Sequence, residues 1–502
     1  MNQPDPDSRT PAAASAPARP ASTTRDLTQG PIASTLLKFA LPILAGNVLQ
    51  SLNGSVNAVW IGRFLGEDAL TAAANANSIL FFLIGSVFGI GMAATILIAQ
   101  ATGARNLEQA RRVIGTSATF FIIVSLAIAV LGLPFARHIL AAMGTPASAL
   151  PLAEDYLRII FLAVPFLYLF SWVSAILRGA GDTRTPFSFL LLAVALDIVF
   201  NPLLIFGIGP FPKLGIAGSA LSTLIANAVS LTALLWWLRR KDHHLWIEWK
   251  ERALFKPDPA ILRALIVKGV PMGLQMVVIS LAMIAMIGMV NSHGIDVTAA
   301  YGAAGQLWTY VQMPAMAIGA ACSSMAAQNV GAGNWSRVDA TARVGTLFNF
   351  LLTGILIAPI ILFDHATLSL FLPPGSPSIE IARHLNHIAI WAFMFFGVTM
   401  VLAGVVRSTG AVMPPLLILS FALWGIRVPF AKWLQPTLGI DAIWWSFPAS
   451  SVCSMLMSMA YYRWGRWRQA KMLQQPAAVA VPAEVPSEAP TLVADQPPLD
   501  RG

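Results

Sequence analysis

One carboxyl group in this chain lies deep inside an apolar stretch, where its chemistry is unusual. Of the 23 Asp and Glu residues, only Asp197 is well inside such a stretch, about 11 residues beyond Pro186. Eleven helical residues rise roughly 16 Å, which is near the middle of a bilayer core of roughly 30 Å. A charge at that depth costs several kcal/mol unless it has a partner or water. Such a carboxyl group can take up and release a proton or bind a cation.

Two neighbours strengthen this interpretation of Asp197. Asn201 lies one turn later on the same helix face, and Pro202 has no N–H for the carbonyl group of Ile198. A carboxylate, an amide and a free carbonyl within one turn predict a cation-coupling site, to which Thr223 of the next apolar stretch can add a hydroxyl group. The alternative is a structural Asp197 whose hydrogen bonds merely lock helices together.

The first apolar stretch carries a polar stripe. Asn47, Gln50, Asn53 and Asn57 fall within an arc of about 120° on one helix face. We expect this face to line a cavity, with Asn57 in the coupling site and the other three in a substrate cavity. Hydrogen bonding between helices, which is common for amides in membranes, is the alternative.

The elements that position these residues are membrane-spanning helices. The chain has 502 residues, of which 56% are hydrophobic and 11% charged, and its mean hydropathy is +0.69. A soluble domain carries roughly 25% charged residues. Stretches 78–101 and 411–425 hold no charge, and the alternation typical of membrane β-strands is missing. The composition therefore predicts an all-α polytopic membrane protein.

We predict twelve transmembrane helices in two sets of six. The first set lies near 34–61, 68–101, 112–141, 150–177, 186–209 and 215–238. The second lies near 262–291, 297–330, 340–363, 384–406, 411–434 and 441–465.

The second set repeats the first. Pro42 and Pro271 are 229 positions apart, as are Arg178 and Arg407. Because each set has an even number of spans, the two lobes are predicted to be related by a pseudo-twofold axis along the membrane normal. The predicted domains are a disordered tail (1–31), an N-lobe (32–240), a cytoplasmic linker (241–260), a C-lobe (261–467) and a second disordered tail (468–502).

Basic residues predict the orientation. With both termini placed in the cytoplasm, 25 of the 32 Lys and Arg residues fall on the inner side. We therefore expect a multi-pass protein of the inner (plasma) membrane. The net charge of +9 is then explained by loops that face anionic lipid, and nucleic acid is not an expected partner.

Several motifs resemble one transporter family. The segments "LTQGPIASTLLKFALPILAGNVLQ", "AQATGARN", "RGAGDTRTP" and "NPLLIFGIGPFPKLGIAGSALST" are similar, in the expected order, to segments of the multidrug and toxic compound extrusion (MATE) family. The likeness covers about residues 30–467. The resemblance implies a V-shaped transporter with two six-helix lobes, which exports mostly cationic drugs in exchange for protons or sodium.

The chain departs from the family pattern at its acids. One branch carries an acid where Asn57 stands here, and reads Asn-x-x-x-Asp where this chain reads Asp197-x-x-x-Asn201. Another branch places acids in the seventh and tenth spans, whereas 259–293 and 381–440 hold none here. We therefore expect coupling through Asp197 alone. That favours protons over sodium, because a sodium site usually needs several oxygen ligands.

The second half contributes its own polar residues. Arg427 lies deep in the eleventh span, close to the repeat equivalent of Asp197. Either it faces the cavity and pairs with Asp197 in one conformational state, or it snorkels to the outer surface. Gln275, Gln306 and Tyr310 are expected to line the C-lobe side of the substrate cavity.

The sequence thus predicts a secondary active multidrug efflux transporter, coupled to H+ or Na+, that works by alternating access. Small cationic or amphiphilic molecules are its expected substrates, a monomer its expected state, and Pro42, Pro202 and Pro271 its expected points of helix bending. No enzyme motif is present, and no cofactor or metal is expected. The alternative is a flippase for a lipid-linked saccharide, which would need a more cationic cavity.

Overall fold

The chain folds entirely into helices and loops where its structure is described. The computed structural model covers residues 25–473 apart from 242, 244 and 248, and no strand occurs within them. A helix satisfies its backbone hydrogen bonds internally, which makes it the stable form of an apolar segment in lipid. The predicted all-α architecture is confirmed.

The N-lobe consists of six long helices. Its core forms where α4 packs against α2, α3 and α6, and α5 lies between α6 and α1. The helices are α1 (Ile32–Leu65), α2 (Glu67–Gly103), α3 (Leu107–Ala142), α4 (Leu150–Gly179), α5 (Arg184–Phe206) and α6 (Ile216–Arg240).

The C-lobe repeats this arrangement with more broken helices. Helix α12 packs against α8, α9 and α16, much as α4 packs in the N-lobe. The elements are α7 (Pro259–Asn291), α8 (Ile295–Gly331), α9 (Trp335–Leu362), α10 (Asp364–Leu368), α11 (Pro377–Ala389), α12 (Ala392–Arg407), α13 (Met413–Ser420), a π-helical turn (Phe421–Arg427), α14 (Val428–Trp433), α15 (Gln435–Leu438) and α16 (Asp441–Trp464).

Twelve spans can be assigned to these elements. Within the described residues, nine helical stretches are long and apolar enough to cross a membrane, Met413–Trp433 among them, and the bent pair α11–α12 makes a tenth. The two remaining spans are α8 and α16. They are less apolar because they bury polar residues inside the protein, such as Ser323, Asn329, Ser446 and Ser450.

The described conformation has one clear break within a span. Pro42, Pro202 and Pro271 all lie inside continuous helices. The 43° bend falls instead between α11 and α12, at Ile390 and Trp391. Bending at the three prolines during transport stays a prediction.

The two lobes meet at one end of the bundle. We call this the basic end; it carries loops 104–106, 180–183 and 241–258 together with residues 25–31 and 465–473. Every hydrogen bond between the lobes in the described part of the chain lies there. At the opposite end, large apolar side chains of helices α2 and α7 are exposed, including Phe81 (67%) and Ile284 (65%).

Two equivalent hydrogen bonds join the lobes at the basic end. Gln100 Nε2 of α2 donates to Ser408 O (2.6 Å), just beyond α12, and Gln328 Nε2 of α8 donates to Gly179 O (2.9 Å), at the end of α4. Helices α2 and α8 cross beside these bonds. A Cβ added at Gly331 would lie 2.0 Å from Gln100 O, so the contact requires glycine.

The structure differs from the prediction at the inner edges of the two tails. Leu27 is fully buried and its N–H donates to Gln328 Oε1 (3.1 Å), while Trp467 and Met472 are also buried. Residues 25–31 and 468–473 therefore pack against the basic end, because apolar side chains in them reach the lobe interface. The rest of both predicted tails lies outside the described residues.

A charged cluster closes the opposite end of the C-lobe. Asp364 at the start of α10 accepts hydrogen bonds from Arg383 Nε (2.9 Å) and His387 Nε2 (3.1 Å) of α11. Desolvation alone would raise the pKa of Asp364, but hydrogen bonds from Arg383, His387 and the His365 backbone outweigh it. The pKa of Asp364 is therefore lowered, and the ionised carboxylate ties α10 to α11.

Candidate coupling and substrate site

Asp197 lies at the centre of a polar cluster in the N-lobe. Its side chain is 2% exposed, and Oδ2 accepts hydrogen bonds from Asn53 Nδ2 and Asn57 Nδ2 of α1, both at 2.9 Å. Oδ1 accepts from Ser222 Oγ (2.7 Å) and Thr223 Oγ1 (3.3 Å) of α6. Three helices thus converge on one carboxyl group, and four possible hydrogen-bond donors surround it.

Asn201 joins the cluster through Asn57. Its Nδ2 donates to Asn57 Oδ1 at 2.6 Å, so Asn57 links the two α5 residues. Two buried amide oxygens, Asn53 Oδ1 and Asn201 Oδ1, have no hydrogen-bond partner in the described part of the chain. An unpartnered buried acceptor is costly, and a water molecule or a cation would satisfy it.

One member of this site was missed by sequence reasoning. Ser222 makes the shorter hydroxyl contact with Asp197, and its Oγ lies within hydrogen-bond distance of both Oδ1 (2.7 Å) and the backbone carbonyl oxygen (2.9 Å), so its single O–H can donate to either. Ser222 directly precedes Thr223, so the adjacency itself was the available signal.

The α1 stripe divides into two parts. Asn53 and Asn57, four residues apart, reach Asp197 together. Asn47 is half-buried and Gln50 is exposed, and neither makes a hydrogen bond to another described residue. Beside them, Gly54 has no atom within 4 Å of its Cβ position. One half of the stripe thus belongs to the Asp197 cluster, and the other half borders open space.

The cluster can hold the carboxyl group in both protonation states. An ionised Asp197 accepts four hydrogen bonds, whereas a protonated one must donate one. The hydroxyl groups of Ser222 and Thr223 can rotate from donor to acceptor without any movement of heavy atoms. The hydrogen-bonding capacity of the cluster therefore fits either form of the carboxyl group.

Arg427 occupies the corresponding place in the C-lobe. It ends the π-helical turn, and its Nε donates to Ser450 Oγ of α16 at 2.9 Å. Its guanidinium carbon lies 4.5 Å from the centre of the Phe447 ring. Arg427 makes no ion pair with Asp197 or with any other described acid in this conformation.

The other predicted C-lobe residues are separated by the fold. Gln275 is 6% exposed, and its Oε1 accepts a hydrogen bond from Arg407 Nη1 at 2.6 Å. That contact occupies its acceptor in the protein interior. Gln306 and Tyr310, one turn apart on α8, are exposed and share a face with Gly302, which has open space beside it. They stay candidates for the cavity wall.

No group of three or more His, Cys, Asp or Glu side chains that could hold a metal ion occurs among the described residues.

Comparisons with known proteins agree with this architecture. The MatE family model matches residues 42–203 and again 271–433, and the two matches start 229 residues apart, at Pro42 and Pro271. The chain is 38% identical to the probable multidrug resistance protein YoeA of Bacillus subtilis, over 87% of this chain and 95% of the relative. It is 26% identical to a FAD transporter of Shewanella oneidensis, over 87% and 95% of the two chains.

A solved structure shows the same fold. A crystal structure of a MATE protein in a bent conformation aligns with a TM-score of 0.80 and 22% identity, over 88% of this chain and 96% of the other. The predicted fold of twelve helices in two lobes is confirmed, and so is the prediction of a transporter rather than an enzyme. With its repeated six-helix lobes, its buried Asp197 cluster and its relatives among multidrug resistance proteins, the chain belongs to the MATE family of membrane transporters.

Proposed function

We propose that this protein is a proton-coupled antiporter that exports small amphiphilic organic molecules across the inner membrane by alternating access. The observation that carries the proposal is Asp197, whose carboxyl group is buried inside α5 among donors from α1 and α6. The names of its relatives support export of drug-like molecules.

The arrangement of the lobes supports alternating access. Their mutual hydrogen bonds lie at the basic end, which the distribution of Lys and Arg assigns to the cytoplasm. The conformation described is therefore closed to the cytoplasm and open to the outside. In this state the cavity is open to the side on which substrate is released.

The hydrogen bonds around Asp197 support a proton as the coupling ion. Both carboxylate oxygens already accept two donors, so a metal cation would have to displace N–H or O–H groups to reach them. A proton can enter by rotation of a hydroxyl group. Binding of a proton from outside removes the charge of Asp197, which weakens its hold on a cationic group of the substrate.

Sodium is the second candidate, and one observation favours it. The buried oxygens Asn53 Oδ1 and Asn201 Oδ1 lack partners, and amide oxygens are suitable ligands for a hard cation. A sodium ion held by these oxygens and Asp197 would satisfy both of them.

Transport in proteoliposomes tests the proposal. Purified wild type and Asp197→Asn are reconstituted, and export of a fluorescent organic cation is followed under an imposed proton gradient or an imposed sodium gradient. Wild type should respond to the proton gradient, and Asp197→Asn should lose at least about 90% of that response because its amide cannot titrate. Asp155→Asn, which neutralises an exposed carboxylate, is the matched control.

The outcomes are distinct. If wild type responds to the sodium gradient and not to the proton gradient, sodium is the coupling ion and Asp197 stays the proposed site. Gradient-driven transport by Asp197→Asn at the wild-type rate would remove Asp197 from the mechanism.

A further inference from the structure

Arg427 is a half-buried cation of the C-lobe, and no described acid forms an ion pair with it. Its place is the fifteenth residue of the Met413–Trp433 span, roughly 20 Å beyond the basic end of that span. The acids nearest in the C-lobe sequence, Glu380 and Asp441, are already bonded to Arg383 and His384 at the opposite end. No acid among the described residues lies within ion-pair distance of Arg427.

The guanidinium group is fixed on two sides and free on the third. Ser450 Oγ holds Nε, and the Phe447 ring lies beneath the guanidinium plane. Nη1 and Nη2 donate to no protein atom in the described part of the chain, and each keeps some accessible surface. Two parallel N–H donors are therefore available to a ligand from a held position.

The contacts present do not compensate for this charge. One hydrogen bond to a serine and one cation–π contact are weak beside the penalty for placing a cation in a membrane-spanning lobe. Partners are commonly supplied by a ligand where an intramembrane charge has none in the protein. The open pair of donors matches the geometry of a carboxylate or phosphate, which guanidinium binds in bidentate fashion.

The internal repeat relates the Arg427–Ser450 pair to the Asp197–Ser222 pair. Asp197 bonds to Ser222 in the N-lobe at 2.7 Å, and Arg427 bonds to Ser450 in the C-lobe at 2.9 Å. The acid and the base are 230 positions apart and the serines 228, so both pairs occupy nearly equivalent places in the two halves. The two lobes thus present opposite charges at matching depth.

The carboxyl group of Asp197 has four hydrogen-bond partners, whereas Nη1 and Nη2 of Arg427 have none among the described residues. A single guanidinium group balances one negative charge, which fits a carboxylate better than a phosphate dianion.

We propose that Arg427 is a substrate-specificity residue that binds the carboxylate of an exported amphiphile. The proposal rests on the proposed export function and narrows its substrate class to molecules with an anionic group, in contrast to purely cationic drugs.

A matched pair of dyes tests this. Rhodamine 110 carries a free carboxylate, and rhodamine 123 is its methyl ester with the same ring system. Binding of each dye to purified protein is measured by fluorescence anisotropy without any ion gradient. Wild type should bind the free acid about 10- to 100-fold more tightly than the ester, the range expected for charge-assisted hydrogen bonds. Arg427→Gln should abolish that preference.

Controls separate the site from general effects. Arg158→Gln removes an equal charge from a partly exposed arginine paired with Glu154, and it should keep the preference. Arg427→Lys keeps the charge without the planar pair of donors and should lose at least about two-thirds of the preference, which carries the test if Arg427→Gln fails to fold.

The assignment is refuted if wild type binds both dyes with equal affinity or binds neither of them. It is also refuted if Arg427→Gln keeps the wild-type preference. Because binding is measured at equilibrium, the result does not depend on the coupling ion. Failure of the proposed antiport would appear separately, as gradient-independent transport by wild type.

Discussion

A single methyl group at Gly331 should open the basic end of the transporter. Gly331 lies where α8 crosses α2, and an alanine Cβ there would be 2.0 Å from Gln100 O. Ordinary contact begins at about 3.4 Å, so the two helices must separate by roughly 1.4 Å. Neither atom can escape by a rotamer change, because one is a Cβ and the other belongs to a helix backbone.

The magnitude follows from this separation. The bond from Gln100 Nε2 to Ser408 O would lengthen from 2.6 Å to roughly 4.0 Å, which is beyond hydrogen-bond range. Overpacking costs about 1–3 kcal/mol and a lost hydrogen bond about 1 kcal/mol. Since both contacts exist only when the basic end is closed, a total of about 2–4 kcal/mol shifts the conformational equilibrium about 30- to 700-fold.

Spin labels can measure this shift. Glu67 and Ile295 are exposed first residues of α2 and α8, at the end of the bundle opposite to the basic end. Spin-labelled cysteines at both positions therefore report the distance between the lobes at that end. Cys322 and Cys453 are first replaced by alanine. Double electron–electron resonance should show a long distance in this background and a new, shorter population in Gly331→Ala.

Gly305→Ala is the control for this experiment. It lies on the same helix, gains the same helix propensity, and has no atom within 4 Å of its new Cβ. Its distance distribution should match the background. A Gly331→Ala distribution identical to that of Gly305→Ala would show that the crossing of α2 and α8 does not hold the basic end closed.

Two further predictions concern stability. Asn57→Leu removes a donor to the buried carboxyl group of Asp197 and the acceptor for the amide of Asn201. The free energy of unfolding, measured by thermal unfolding, should fall by about 2–5 kcal/mol. Gln50→Leu removes an exposed amide without a partner and should change it by under about 0.5 kcal/mol. Because the pKa of Asp364 is lowered in the folded state, its contribution is complete above the usual Asp value of about 3.9 and is lost as the pH falls through the folded-state pKa. The melting temperature of wild type should therefore fall more steeply from pH 5 to pH 3 than that of Asp364→Asn, and parallel profiles would contradict the assignment.

The broad architecture could be derived from the chain alone for a simple physical reason. A bilayer admits few structures, so low charge and long apolar runs already select helices. The agreement of Pro42 with Pro271 and of Arg178 with Arg407 across 229 positions then indicates two copies of one unit. An acid in such a helix is rare because it is costly, which is why Asp197 could be found without a structure.

Local residue types account for only part of the irregular helix geometry. Proline removes one hydrogen bond, but the surrounding helix continues through Pro42, Pro202 and Pro271. The π-helical turn that ends at Arg427 is followed by Pro429, whereas the bend at Ile390 and Trp391 has no proline at the break. A local sequence pattern did not indicate that bend.

Partners across helices were decided by the tertiary structure. Periodicity shows that Asn47, Gln50, Asn53 and Asn57 share a face of α1, yet only the rotation and depth of α5 determine that the last two reach Asp197. Gln275 is of a residue type that suits a polar cavity wall, but its amide is bonded to Arg407 inside the C-lobe. A sequence fixes which side chains a helix offers and at which angle around its axis. Which other helix meets that angle depends on the packing of the whole bundle, because side-chain contacts are made at distances of a few ångströms.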